Sequence, residues 1–146
     1  MGKTKTQVRV YLSIFGDSFP LEDITEKLGI EPSNTYRKGD RIPNRSSKLL
    51  RKETSWHLDT GYQESFDVEE QLQQIIMPLQ NKVSIIQEIK QTYSVVCKFY
   101  IVIIMEEGDT PSLYLDKDVI NFVSSIGAEF DIDLYANPYE DDFCLD

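Results

Sequence analysis

The chain has few of the side chains that most catalytic and metal sites require. Its 146 residues include one His and two Cys, and no Cys-x-x-Cys occurs. A Ser-His-Asp or Cys-His site would need His57 beside a nucleophile, and a zinc site needs several Cys, His or carboxylate ligands. These counts argue against a metal site and against a secreted disulfide framework, and they suit a reducing cytoplasm. We therefore expect no cofactor, no metal and no enzymatic activity.

Long apolar runs and nucleotide-binding motifs are also missing. No apolar run reaches the ~18 residues of a membrane-spanning helix, and the basic start is followed by an alternating segment rather than a signal-peptide core. The sequence lacks GxxxxGK[ST], GxGxxG and HExxH. We expect a soluble cytoplasmic protein with no membrane segment, and the chemistries that those motifs mark are excluded.

Four segments have the hydrophobic pattern of strands, at residues 8–15, 54–61, 95–105 and 130–135. Three of them alternate apolar and polar side chains, which predicts strands with one buried face. In the second of these segments, the alternation places His57 on the face opposite Trp56 and Leu58. The segment 95–105 is instead almost continuously apolar, rich in β-branched and aromatic residues, and has Lys98 as its only charge. Such a composition predicts a strand in the middle of the sheet.

Helical spacing of apolar residues follows Pro20, Asp67, Pro78 and Asp116, and Gly29 predicts the end of the first helix. Residues 31–53 have no period and predict a long loop. The order is therefore strand-helix-strand, a helical pair, then strand-helix-strand. This order predicts an α+β fold in which two split βαβ halves form a four-stranded antiparallel, ferredoxin-like sheet with an extra central helical pair. We expect a single domain over residues 1–136 and an acidic tail over residues 137–146.

Short runs of sequence, taken together, resemble a known bacterial family. They are FPLEDITEKLGIEP at residues 19–32, YRKGD at 36–40, SWHL at 55–58 and DIDLYA at 131–136. The combination resembles domain of unknown function 4279. This resemblance implies a small cytoplasmic bacterial protein with an α+β, ferredoxin-like organisation, and it transfers no catalytic residue. By analogy with other orphan families, it also suggests an immunity or antitoxin-like role beside a secreted toxin.

Charge is distributed unevenly along a chain whose net charge is −10. Residues 37–52 contain seven Lys or Arg and one Asp, whereas residues 106–146 contain twelve acids and one Lys. A basic loop could bind nucleic acid by counterion release, but the negative field of the whole protein repels a polyanion. The same field would attract a basic protein. We therefore favour a basic protein partner and keep nucleic-acid binding through loop 37–52 as an alternative.

Two groups of residues are candidates for contact with a partner or ligand. Both faces of segment 95–105 are apolar, so either the central helices cover the second face or that face binds a second subunit or another protein. The surface near Phe99 and Ile101 is the candidate for this docking, including a homodimer. The cluster at residues 36–40 could instead form a small-ligand or enzymatic site, with Trp56 as its aromatic floor and Arg37 as its cation. The structural alternative is that the cluster clamps the loop against the start of the next strand. The candidate contact residues are Tyr36, Arg37, Lys38, Asp40, Trp56, Phe99 and Ile101.

Overall fold

A computed structural model describes residues 5–44 and 48–137 as one mixed sheet with helices. In chain order its elements are β1 (Gln7–Gly16), α1 (Leu21–Leu28), β2 (Asn34–Tyr36), β3 (Thr54–Asp59), β4 (Gln63–Glu64), α2 (Val68–Ile76), α3 (Val83–Tyr93), β5 (Val96–Glu106), α4 (Lys117–Ser125) and β6 (Glu129–Asn137). A single 3-10 turn, Met77–Leu79, separates α2 from α3. It contains Pro78, which lacks the N–H needed to continue a helix.

The helices begin and end where the local sequence signals predict. The carboxylate of Asp67 accepts a hydrogen bond from the backbone N–H of Glu69 at the start of α2. The carboxylate of Asp116 accepts one from Val119 at the start of α4. At the end of α1, Gly29 has φ +68°, a left-handed conformation that strains other residues. These predictions of helix boundaries are confirmed.

The strands lie in the order β2-β3-β1-β5-β6, and β4 pairs with the first residues of β1. β1 is antiparallel to β3 and β5, while β5 is parallel to β6. β5 is therefore flanked on both edges, which confirms the predicted central strand. The four-stranded ferredoxin-like sheet is not found. The described sheet has six strands, and the two long strands of each half, β1 with β3 and β5 with β6, are direct neighbours instead of being interleaved. The prediction missed β2 and β4 because both are short, polar segments held by backbone pairing, without apolar periodicity.

The helices of the described chain cover one face of the sheet. Their buried side chains join a single core with alternate residues of the three long buried strands. Those strand residues are Val8, Val10, Leu12, Ile14, Trp56, Leu58, Cys97, Phe99, Ile101 and Ile103. α2 and α3 contribute to this same core, so they do not cover the opposite face as one of the two expectations required. No helix within residues 5–44 and 48–137 is long and apolar enough to cross a membrane. Beyond Asn137, the predicted acidic tail lies outside the described residues.

Candidate functional site

The two rows of β5 have different surroundings, because successive residues of a strand point to opposite faces. Phe99 and Ile101 are 0% exposed beneath the helices, so neither can contact a partner on the surface. The alternate row faces away from the helices and consists of Val96, Lys98, Tyr100, Val102 and Ile104. We call this side of the sheet the open face. The predicted docking surface therefore requires the other row of β5.

An aromatic row crosses the open face, formed by Tyr36, His57, Tyr11 and Tyr100. Tyr11 and Tyr100 are cross-strand partners, and their rings stack with centroids 4.6 Å apart and planes 15° apart. His57 lies 5.4 Å from the Tyr11 ring, and Tyr36 meets His57 edge-on at 5.6 Å. The row takes one ring from each of β2, β3, β1 and β5. It forms a continuous, half-buried aromatic surface over four strands.

Burial shifts the pKa of Tyr11 and the pKa of His57 in the direction that favours the uncharged ring. It raises the pKa of the Tyr11 phenol to about 12, although the nearby Arg9 charge acts in the opposite direction. It also lowers the pKa of His57 below the ordinary 6.5, with the Asp59 charge opposing this shift. Tyr11 and His57 can therefore contribute stacking and neutral hydrogen bonds.

A partly buried ion pair lies beside Tyr11, within the row. The Arg9 Nε donates to both carboxylate oxygens of Asp59 at 3.1 Å, and a second guanidinium nitrogen also donates to Asp59. The guanidinium carbon lies 4.6 Å from the Tyr11 ring centroid and 5.5 Å from that of Tyr62. Burial acts to raise the pKa of Asp59. The hydrogen bonds from Arg9 and from the Gly61 N–H, together with the positive charge of Arg9, act more strongly in the opposite direction, so the pKa of Asp59 is lowered. Arg9 is thus fixed against the aromatic row.

Two further cations lie over rings of the row. The Arg51 guanidinium carbon is 3.9 Å from the Tyr36 ring centroid. The Lys98 ammonium is 5.4 Å from the Tyr100 ring centroid and 3.5 Å from a carboxylate oxygen of Asp131. Such placements are typical of cation–π contacts. The open face therefore combines an aromatic row with cationic side chains in cation–π contact with its rings.

The predicted cluster at residues 36–40 is tied to the protein's own acids. Arg37 donates to Glu22 at 2.6 Å, and Lys38 forms an ion pair with Asp17. The carboxylate of Asp40 accepts a hydrogen bond from the Arg37 N–H at 2.7 Å, which closes a tight turn. These contacts make the cluster a structural loop on the surface of the molecule.

The same loop is fastened to the beginning of β3. The hydroxyl oxygen of Thr54 accepts a hydrogen bond from the Lys38 N–H and donates to the carbonyl of Asp17, both at 3.1 Å. This is the loop clamp expected as the structural interpretation of the cluster. Residues 45–47 of the basic loop lie outside the described residues.

Trp56 and Tyr36 do not form one site. Trp56 is 0% exposed on the helix-covered face, where its Nε1–H donates to the Thr25 hydroxyl at 3.0 Å. Tyr36 lies on the open face, next to His57. Trp56 therefore cannot serve as the floor of an accessible pocket, and of the seven predicted contact residues only Tyr36 belongs to the aromatic row.

Sequence reasoning missed most of the open face, although a signal for it exists. In the first strand the residues between the buried Val8, Val10 and Leu12 include Arg9 and Tyr11, which share the other face. His57 was expected opposite Trp56 and Leu58, and it does lie there. What the sequence could not supply was the alignment of these strands, which brings Tyr11 beside Tyr100.

A set of ligands for a metal ion is not assembled in the described residues. No three His, Cys, Asp or Glu side chains within residues 5–44 and 48–137 are placed to hold a metal ion. The hydroxyls of Ser13 and Ser55, beneath the aromatic row, bond to each other at 2.8 Å. Ser13 lies opposite His57 in the strand register. The geometry is suited to recognition by rings and cations.

Comparison with known proteins gives one match. The family model described as Domain of unknown function (DUF4279) matches residues 6–137. The chain therefore belongs to this family, as the sequence motifs suggested. Neither the curated proteins nor the solved structures provide a match.

Proposed function

We propose that this member of the DUF4279 family is a non-catalytic protein-interaction module that binds its partner through the open face of the sheet. One observation carries the proposal: a row of four aromatic side chains, with Arg9 fixed beside it, lies on a sheet face that the helices leave uncovered. Tyr and Arg are the residues most enriched where protein interfaces concentrate their binding energy. The function follows from this surface rather than from a catalytic group.

The open face is already ordered before any partner binds. Tyr11 is held by the Tyr100 ring on one side and by the Arg9–Asp59 ion pair on the other. A side chain that is already fixed in the free protein loses little rotamer entropy on binding. A long side chain that becomes fixed only on binding costs about 0.5–1.5 kcal/mol of binding free energy. Preorganisation therefore favours binding to a rigid, complementary surface.

The surroundings of the open face indicate a basic partner. Asp131 and Asp133 follow one another on the same side of β6, beside Tyr100 and Val102 of β5. The chain as a whole carries a net charge of −10. Such a field accelerates association with a positively charged protein. An immunity-type inhibitor of a basic toxin is a role of this kind, and a cytoplasmic location remains a prediction.

The alternatives receive less support from the geometry. Arg9 and Lys98 are paired with carboxylates on the open face, and Arg37 and Lys38 of the basic loop are paired with Glu22 and Asp17. Cations that are already paired release fewer counterions from nucleic acid. A small-ligand site on the same loop would need Trp56, which lies beneath the helices. A protein partner is the function that the described contacts favour.

The test compares two tyrosines, one in the aromatic row and one outside it. Tyr100→Ala removes the stacking partner of Tyr11, while Tyr114→Ala removes a 67% exposed ring from the loop before α4. Proteins captured from the native host by the parent chain are identified, and one that also binds Tyr114→Ala is purified. Its affinity is then measured by calorimetry at low and raised salt.

We expect Tyr100→Ala to weaken binding about 30-fold or more, the loss that corresponds to the ~2 kcal/mol of an interface hot spot. Raised salt should weaken the parent complex, because a basic partner is attracted by charge. Circular dichroism checks that both variants are folded. Equal affinity of the parent and Tyr100→Ala for every captured protein would rule out the open face as the binding surface.

A further inference from the structure

We propose that the outer edge of β6 pairs antiparallel with the same edge of a second copy, so that two chains form one continuous sheet. β6 is the last strand of the sheet order and runs for nine residues. Among residues 5–44 and 48–137, no strand pairs with its outer edge. The N–H and C=O groups that point outward along this edge are a template for another strand. This surface is separate from the aromatic row, so the dimer and the proposed partner can be tested independently.

The edge carries apolar side chains on both faces of the sheet. Leu134 is 60% exposed and Ile132 is 37% exposed on the helix side, while Tyr135 is 55% exposed on the open face. Proteins usually protect a long edge strand by charge, by proline or by a covering element. Only Asp131 and Asp133, both on the open face, provide charge within the middle of β6. The apolar helix side of the edge is what a second chain would cover.

An open apolar groove of about 430 Å³ continues this surface on the helix side. It lies between α4 and the start of β6 and includes Ile120, which is 51% exposed, and Phe130. Phe130 is also two residues before Ile132 on the same face of β6. The groove and the edge therefore form one apolar surface.

Two-fold symmetry matches this surface to itself. Antiparallel pairing of identical edges places the symmetry axis perpendicular to the sheet, which keeps the helices of both copies on one face. The two α4 helices then flank the shared seam, and the exposed apolar side chains on the helix side of each β6 meet across it. A second copy is the favoured occupant, because its own β6 edge supplies both an unpaired strand and a matching set of exposed apolar side chains.

Like charges disfavour two registers of this pairing, and the 60% exposed Leu134 favours an axis that buries it against its counterpart. If the axis passed through Ile132, Asp131 would face Asp133 of the other copy twice, and if it passed through Asp133, that carboxylate would face itself. Like charges directly opposite each other destabilise a strand pair. An axis through Leu134 avoids both contacts, since Asp133 then lies opposite Tyr135 and Asp131 opposite Asn137. On the helix side, this register sets Leu134 against Leu134 of the other copy.

The first experiment measures the mass of the full chain by analytical ultracentrifugation. We expect the parent to be a dimer and Leu134→Lys to be a monomer, because two lysines would meet at the axis. Leu50→Lys is the control, since Leu50 is 47% exposed in a loop away from β6. Leu134 is already largely exposed, so its replacement leaves the core intact. A monomeric parent at submillimolar concentration overturns the proposal, and so does a dimer that survives Leu134→Lys.

The second experiment tests the register by cysteine cross-linking in a Cys144→Ser background. Leu134→Cys would place two thiols directly opposite each other, within the Cα separation of 4.4–6.8 Å that a disulfide requires. Asp133→Cys is the matched control, because its thiols would be diagonal and about 7–8 Å apart. Cys97 is 0% exposed and does not compete. After mild oxidation we expect a covalent dimer for Leu134→Cys alone, and a covalent dimer for Asp133→Cys alone overturns the assigned register.

Discussion

The ion pair between Arg9 and Asp59 allows a direct measurement of how strongly the open face is held. Its side chains are 32% and 16% exposed, so it is neither a surface pair nor a fully buried one. The perturbation is a double-mutant cycle with Arg9→Met, Asp59→Asn and the double variant. Met keeps the apolar stem of Arg9. Asn keeps an oxygen that can still accept the hydrogen bond from the Gly61 N–H.

The expected coupling energy lies between two known limits. Exposed ion pairs contribute about 0–1 kcal/mol, while a net hydrogen bond to a charged group contributes about 1.5–3 kcal/mol. The guanidinium of Arg9 bonds both oxygens of Asp59 but remains one-third exposed. We therefore expect a coupling of about 1–2 kcal/mol at neutral pH.

The coupling should depend on pH in one direction. The pKa of Asp59 in the folded protein is lower than its ordinary value of 3.8. A lowered folded pKa means that the stabilisation is fully present above the unfolded pKa and is lost as the pH falls through the folded pKa. The difference between the parent and Asp59→Asn should be constant from neutral pH to about 5 and should shrink below about 4.

Urea unfolding followed by tryptophan fluorescence measures these free energies. The single Trp of the chain, Trp56, is 0% exposed, so its emission reports loss of the core. With a slope of ~2 kcal/mol per molar urea, the coupling corresponds to about 0.5–1 M in the midpoint. A coupling below about 0.3 kcal/mol would show that the pair behaves as an ordinary surface ion pair. The ion pair would then not preorganise the open face.

Three further predictions concern the core, a helix end and the buried thiol. Ile101→Ala should lower the free energy of unfolding by about 2–5 kcal/mol, whereas Leu50→Ala, at a 47% exposed loop position, should change it by about 0.5 kcal/mol or less in urea titrations; similar losses would contradict the assignment of the covered face. Gly29→Ala should lower the free energy of unfolding by about 1 kcal/mol in thermal unfolding, because φ at residue 29 is +68°. The cost would come from this backbone conformation alone, since nothing lies within 4 Å of the added Cβ, and an unchanged or raised Tm would disprove it. Burial raises the pKa of Cys97 to about 11, so in a Cys144→Ser background a thiol reagent at pH 8 should react only as fast as the chain opens; rapid labelling of the native protein would contradict this burial.

The predictable part of the fold was its local part. Residues 95–105 were predicted to form a central strand because an almost continuous run of β-branched and aromatic residues is typical of a strand with a neighbour on each side. In the structure, β5 lies between β1 and β6. The ends of α1, α2 and α4 followed from Gly29, Asp67 and Asp116, whose effects act within a few residues. Strands β2 and β4 escaped prediction, because their pairing depends on neighbours that are distant in sequence.

The candidate site was predictable only in its parts. Parity correctly placed His57 opposite Trp56, yet Trp56 was expected at an accessible site with Arg37 and is instead beneath the helices. Phe99 and Ile101 were chosen from an apolar strand whose two rows are equally hydrophobic. Composition alone could not tell which row the helices cover.

The sequence by itself determined the helix boundaries, the central strand, the acidic balance and the absence of the common catalytic and nucleotide motifs. These properties depend on residue type and on spacing along the chain. The tertiary structure alone decided that β1 pairs with both β3 and β5, and that the helices lie on one face. This strand order stacks Tyr11 on Tyr100 and leaves the edge of β6 unpaired within the described residues. Residues that are distant in sequence thereby lie together on one surface. The strand order is set by long-range strand pairing and burial, whose free energy depends on which segments meet rather than on any one segment.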